Sequence, residues 1–273
     1  MSTPAPHAPE LHELERVEWR VLAALRPIDA TTGATIETPL LIRGEGARIV
    51  RNRSGLHVVH EWTRLAAHGA HFLQPPPGPA PGSQTLQLRI DDPSGRYLPR
   101  LAALALPRNP DGDGPDSLFD AVDIALYPAP SARLGTNWCA LRVSVSTLPA
   151  GTHALGGALL RVVAGGRVLA RGLSDWRGEA LVAVAGVPVT TWSADAEAVV
   201  ATHVDAVLEV FHDPALGSRT PMARVRAGHP PAQPPCVDPA DLETRRATLP
   251  TAQLAVQLRA RAALNTNLGL DLR

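Results

Sequence analysis

Gln84-Thr85-Leu86-Gln87-Leu88-Arg89-Ile90 alternates polar and apolar residues without a break, and Asp91-Asp92-Pro93-Ser94-Gly95 follows it. A period of two sets Leu86, Leu88 and Ile90 on one face and Thr85, Gln87 and Arg89 on the other, as in a half-buried strand. The Asp, Pro, Ser and Gly that follow are turn formers: short side chains bond local backbone, and glycine tolerates positive φ. A strand closed by such a turn predicts a β-protein of short elements.

The same grammar extends to both sides. Toward the N-terminus, Val17, Trp19 and Val21 alternate with Glu18 and Arg20, and Arg26-Pro-Ile-Asp-Ala-Thr-Thr-Gly33 reads as a turn. Strands follow at Pro39–Arg43, Ala47–Val50 and Leu56–Val59, separated by Gly44-Glu-Gly46 and Arg51-Asn-Arg-Ser-Gly55. Gln74-Pro-Pro-Pro-Gly-Pro-Ala-Pro-Gly82 predicts an irregular loop. Toward the C-terminus, strands are predicted at Tyr97–Leu106, Leu118–Tyr127, Trp138–Val145, Gly156–Val163, Arg167–Ala170, Ala180–Val184 and Ala198–Phe211. Short alternating runs between Gly-rich turns predict β-sandwiches.

Bulk composition agrees. Pro (27) and Gly (22) are abundant among 273 residues, which fits many turns, and aromatics at 4% leave the core to Leu, Val and Ala. Length suggests two domains. The expected division is a loose arm over 1–13, a first sandwich over 14–127, a linker over 128–137, a second sandwich over 138–212, a poorly ordered Pro-rich linker over 213–240 and a helical tail over 241–273. The tail reading rests on helix propensity in Leu249–Leu264 and on Leu254, Leu258 and Ala262 recurring at four-residue spacing. The fold class is thus mainly β: two tandem antiparallel sandwiches with a C-terminal helix.

Every basic residue except histidine is arginine, with no lysine in the chain. That removes lysine nucleophiles, Schiff bases and a P-loop lysine. Net charge is zero with arginine dispersed, which argues against nucleic acid. No apolar run reaches the length of a membrane helix. The N-terminus lacks a signal-peptide pattern. Synthesis in the cytoplasm without Sec-type export is expected, with release by lysis if the protein belongs to a particle. Cys139 and Cys236 form no CxxC pair, and whether they bridge is left open.

Three stretches, Arg26–Gly33, Ser54-Gly-Leu-His-Val58 and Asp92-Pro-Ser-Gly-Arg-Tyr-Leu-Pro99, together resemble carboxypeptidase-regulatory-like (transthyretin-type) β-sandwich modules. Gly156–Val162 with Gly172-Leu-Ser-Asp-Trp-Arg-Gly-Glu179 resembles the same module again. The chain departs from that pattern at His57, where an aromatic is usual, and in the Pro-rich insertion over 74–82. The resemblance implies rigid spacer or binding units within larger assemblies. The layout, with Leu126-Tyr-Pro-Ala-Pro130 after a sandwich, also resembles accessory proteins of bacterial contractile injection systems and phage-tail-like particles.

Candidate sites are few. His57, His60, His68 and His71 have metal-ligand chemistry, but His57 and His60 fall on opposite faces of a strand. Asp111, Asp113 and Asp116 alternate with glycine as calcium ligands do, without the terminal glutamate of an EF-hand. Ser174 and Asp175 with His203 or His212 form no nucleophile elbow. Trp176 and Trp192, if exposed, are candidate partner contacts, as are Leu254 and Leu258 on the tail. The expectation is a non-enzymatic structural or interaction protein without cofactor. Its partners would be other protein subunits or further copies of itself, with no nucleic acid and no membrane insertion. A carbohydrate- or surface-binding module and a metal-dependent enzyme using the histidine cluster are the alternatives.

Overall fold

The computed structural model describes residues 21–70, 76–133, 135, 137–187 and 203–272. The N-terminal arm, Trp19, His71 and Trp192 lie outside the described residues. The chain is mainly β. The first half contains β1 (Ala23–Asp29), β2 (Leu41–Gly44), β3 (Ala47–Arg51), β4 (His57–Trp62), a short helix α1 (Ala66–Ala70), β5 (Gln84–Asp91), β6 (Arg100–Leu106) and β7 (Val122–Leu126). Next come β8 (Cys139–Thr147), β9 (His153–Gly156), β10 (Leu159–Ala164), β11 (Arg167–Leu173), β12 (Glu179–Val184) and β13 (Val204–Phe211). The chain ends with β14 (Ser218–Pro221), α2 (Met222–Arg226), α3 (Pro239–Arg245), β15 (Thr251–Leu258) and β16 (Ala263–Leu270).

In the first half a sheet ordered β3-β4-β1-β7 packs on one ordered β2-β5-β6. The alternation in Gln84–Ile90 does what its period requires, with Leu86, Leu88 and Ile90 buried. They join Leu25, Val59 and Leu126 from the opposite sheet in one core. In the second half, β11-β10-β13-β15 packs on β12-β8-β9-β14, and β16 pairs with β8. Leu160, Val162, Leu208 and Val210 meet Leu141, Val143, Val182 and Leu268 there. Both halves close alike. In each, the first strand among the described residues pairs in parallel with the last, β1 with β7 and β8 with β16.

The C-terminal tail is not the helix that its propensity predicts. Residues 251–258 form β15, paired antiparallel with β13 from Phe211↔Thr251 to Val204↔Leu258. Leu254 and Leu258 fit a four-residue period, but Ala252, Leu254, Val256 and Leu258 fit a two-residue period equally well. The edge of β13 supplies eight ladder positions, and this tertiary pairing overrides the helix propensity of Ala, Gln and Leu. A turn with Arg261 at φ 63° sends the chain across to β16. Within the tail, α3 is the α-helix among the described residues, and a single 3₁₀ turn at Arg246–Thr248 follows it.

Residues 213–240 are also more ordered than their proline content suggests. They contain β14 and α2 and lead to Val237 and Asp238, which are 1% and 8% exposed. Val237, Leu242, Tyr127, Leu159 and Leu173 form a third buried cluster where the halves meet. β1 runs through Pro27 to Asp29, into the stretch read as a turn, while Val17 and Trp19 of the strand expected before it lie outside the described residues. Cys139 and Cys236 are both free thiols.

Leu258 is fully buried, so Leu258→Ala removes core contacts and leaves a cavity. It should cost about 2–5 kcal/mol in chemical denaturation. An unchanged midpoint would return this segment to a solvent-facing tail.

Candidate functional site

The polar residues that the sequence brings forward are mostly turn closures. Asn52, Asp92 and Asp175 each start the same four-residue turn. The glycine three positions on donates to the carbonyl of the first residue, Gly55 to Asn52 at 3.1 Å, Gly95 to Asp92 at 3.0 Å and Gly178 to Asp175 at 2.9 Å. The side-chain oxygen accepts from the next amide, Leu56 at 2.9 Å, Arg96 at 2.9 Å and Glu179 at 3.1 Å. Gly178 has φ +74°, and a Cβ there would collide with the Val145 carbonyl oxygen, so both conformation and space demand glycine.

Two of the quoted stretches meet in space. Tyr97 Oη donates to Asp29 Oδ2 at 2.8 Å, while Asp29 Oδ1 accepts from the amides of Thr31 and Thr32 at 2.8 and 3.0 Å. Burial, then the Asp29 bond, pushes the Tyr97 hydroxyl up to about 12. Burial alone would raise Asp92, but Ser94 and the amides of Ser94, Tyr97 and Arg96 hold it below the usual carboxylate range. Ser174 Oγ donates to the Leu155 carbonyl at 2.7 Å and accepts from the Ala158 amide at 2.9 Å. A serine saturated by backbone on both sides is a poor nucleophile.

The junction of the halves carries the densest charge. Arg100 on β6 sends Nη1 to the Ala125 carbonyl on β7 at 2.6 Å and Nη2 to Asp238 Oδ1 at 3.1 Å. Asp238 also accepts from the amides of Ala103 at 3.0 Å and Ala240 at 3.0 Å, the latter capping α3. Along α3, Glu243 pairs with Arg161 at 3.4 Å and Arg171 at 3.3 Å. Arg161 in turn meets Glu209 at 3.4 Å across β10 and β13. Arg245 reaches Asp213 at 2.8 Å and also pairs with Asp241. Residues 237–245 thus clamp β6 of one half to β10, β11 and the end of β13 of the other.

The candidates read from the sequence are dispersed by comparison with this clamp. Trp176 is half-buried and lines a cavity of about 70 Å³ with Leu98, Pro99, Pro235 and Val237. The Arg177 guanidinium lies 5.8 Å from its ring. Leu254 packs half-buried on the second core, and Leu258 is fully buried in it. His57 is buried on β4, where burial and then the Arg51 charge lower its pKa. His60 is half-buried on the same strand, and His68 lies buried on α1. Asp111 accepts from the Asp113 amide at 3.1 Å, and Asp116 pairs with Arg108 at 3.0 Å. Among the described residues no three His, Cys, Asp or Glu side chains come together as a metal-ligand group. His203 lies 3.6 Å from Asp205, and His212 is enclosed at the end of β13.

Sequence patterns do not single out Arg100 or Glu243. Asp238 carries one local signal, since Asp238-Pro239 is an N-cap followed by proline at the first helical position.

No protein-family model matches the chain, and no curated protein sequence does. Among solved structures, a chain described as the Bacillus anthracis TIE protein aligns at 6% identity with a TM-score of 0.27. The alignment covers 93% of this chain and 34% of that one. The chain therefore spans about a third of that neighbour's length, and at this similarity the likeness carries no assignment.

His212 has no exposed surface, and neither ring nitrogen has a hydrogen-bond partner among the described residues. Burial lowers its pKa from 6.5 to about 4. The unfolded chain therefore takes up a proton at a pH where the folded chain does not. Stability should fall as pH drops from about 6.5 toward 4, by up to about 3 kcal/mol. Denaturation midpoints of wild type and His212→Asn across that window measure it. Parallel curves would show that His212 does not titrate on unfolding.

Proposed function

We propose that this chain is a non-enzymatic structural or interaction protein, built from two tandem transthyretin-type sandwich domains held in one fixed orientation. The first would run to Tyr127 and the second from Cys139 to Leu270. The observation carrying the proposal is that Asp29, Asp92, Asp175 and Ser174 all bond backbone groups in turns, with the aspartates also bonded by neighbouring side chains. Residues that could serve chemistry serve geometry instead. The shared closure of the halves, first described strand parallel to last, supports a repeated module. The charged clamp suits a spacer that must hold its shape under load.

Within this class, the protein is placed as a cap, baseplate or accessory subunit of a contractile phage-tail-like injection particle. That placement draws on the sequence layout described above. Its attachment would use sandwich loops and edge strands, since the tail belongs to the second core. The purified chain should form a stable complex with at least one sheath, tube, cap or baseplate protein in co-purification and size-exclusion chromatography. A monodisperse chain that retains none of them would defeat the placement.

A further inference from the structure

A groove of about 960 Å³ runs between the Asp29 turn, the Asp92 turn, the segment Pro128–Arg133 and Trp138. The side chains of Thr32, Thr35 and Ser94 border it, beside the half-buried ring of Trp138. Charged groups of both signs line it in equal number, Arg96 and Arg133 against Asp29 and Glu37. The Asp29 carboxylate is already taken by Tyr97 and two amides. Among the described residues Arg96, Arg133 and Glu37 form no ion pair, whereas Arg26, Arg89, Arg100, Arg108 and Arg245 all do. Thr38, also on the groove, has its hydroxyl buried without a partner among those residues.

We infer that this groove binds a neutral glycan. The chemistry is matched group by group. A sugar presents hydroxyls that donate and accept at once, and guanidinium donors outside any ion pair among the described residues, a carboxylate acceptor and hydroxyls answer them. Charge-assisted bonds of this kind are the stronger ones. An indole offers an apolar body for the C–H face of a pyranose beside that polar set. Balanced charge gives no net field to select an anion or a cation, so a strongly charged polymer is disfavoured. The floor is stiff, because the Tyr97–Asp29 bond and the saturated Asp92 turn hold it, which lowers the ordering cost of binding. A few oriented polar groups and one aromatic in a preformed cleft are the ordinary makings of a small-ligand site.

The inference rests on the non-enzymatic reading of the chain. An array of neutral and uronic-acid-containing oligosaccharides, probed with the full-length protein, tests it. Neutral glycans should bind, and Arg133→Ala and Trp138→Ala should each weaken the best of them by tenfold or more in calorimetric titration. Arg133 is exposed, so its variant keeps the test valid if the tryptophan variant fails to fold. No array signal, signal only from acidic glycans, or affinity unchanged by Arg133→Ala would overturn the inference and leave the proposed function standing. Shortened glycan in the eluate would overturn the non-enzymatic reading, and this inference with it.

Discussion

Arg100 and Asp238 form the ion pair on which the arrangement of the protein depends. Both are largely out of water, at 6% and 8% exposure. Taking two charges into such a place is costly, and their mutual attraction offsets the cost only when further bonds satisfy what remains. Here they do. Arg100 donates to carbonyls at Leu101 and Ala125, and Asp238 accepts from two amides as well as the guanidinium. Burial lowers the arginine pKa, with Tyr127 and Asp238 opposing the shift. Removing either partner would leave the other charged and enclosed, at about 3–5 kcal/mol.

Three levels of structure meet at that pair. Arg100 sits on the second sheet of the first half and reaches the first sheet through Ala125, so it ties the two layers across their open side. Asp238 caps α3, whose Glu243 and Arg245 then fasten to the second half. Beside it, Val237 and Leu242 complete the apolar cluster with Tyr127, Leu159 and Leu173. Each fully buried side chain of this size contributes about 1.5–3 kcal/mol, so the apolar part of the junction outweighs its exposed ion pairs. The charges fix orientation, and the apolar cluster supplies most of the adhesion.

Much of this was legible in the sequence, and the failures have physical causes. Gln84–Ile90 and Val204–Val210 announce strands because one face is buried and the other wet. The Asp and Gly of each turn are readable because the turn's bonds lie within five residues. Leu249–Leu264 misleads because its apolar residues satisfy both a two- and a four-residue period. The choice falls to a partner, β13, that lies some fifty positions earlier. The Pro-rich stretch before Asp238 misleads in another way. Composition reports its prolines, not that it carries β14 and α2 and ends in the buried Val237 and Asp238. Arg100 looks like any strand arginine, since its partner is 138 positions away. The groove beside Trp138 is assembled from three separated turns and has no linear signature.

Two halves of this kind can form a flexible string or a single rod, and the clamp decides between them. Calorimetric unfolding of wild type and Asp238→Ala distinguishes these directly. Wild type should unfold in one transition, because the halves share the third cluster and the clamp. Asp238→Ala should separate it into two. Two transitions in wild type, or one unshifted transition in Asp238→Ala, would contradict a junction oriented by this pair.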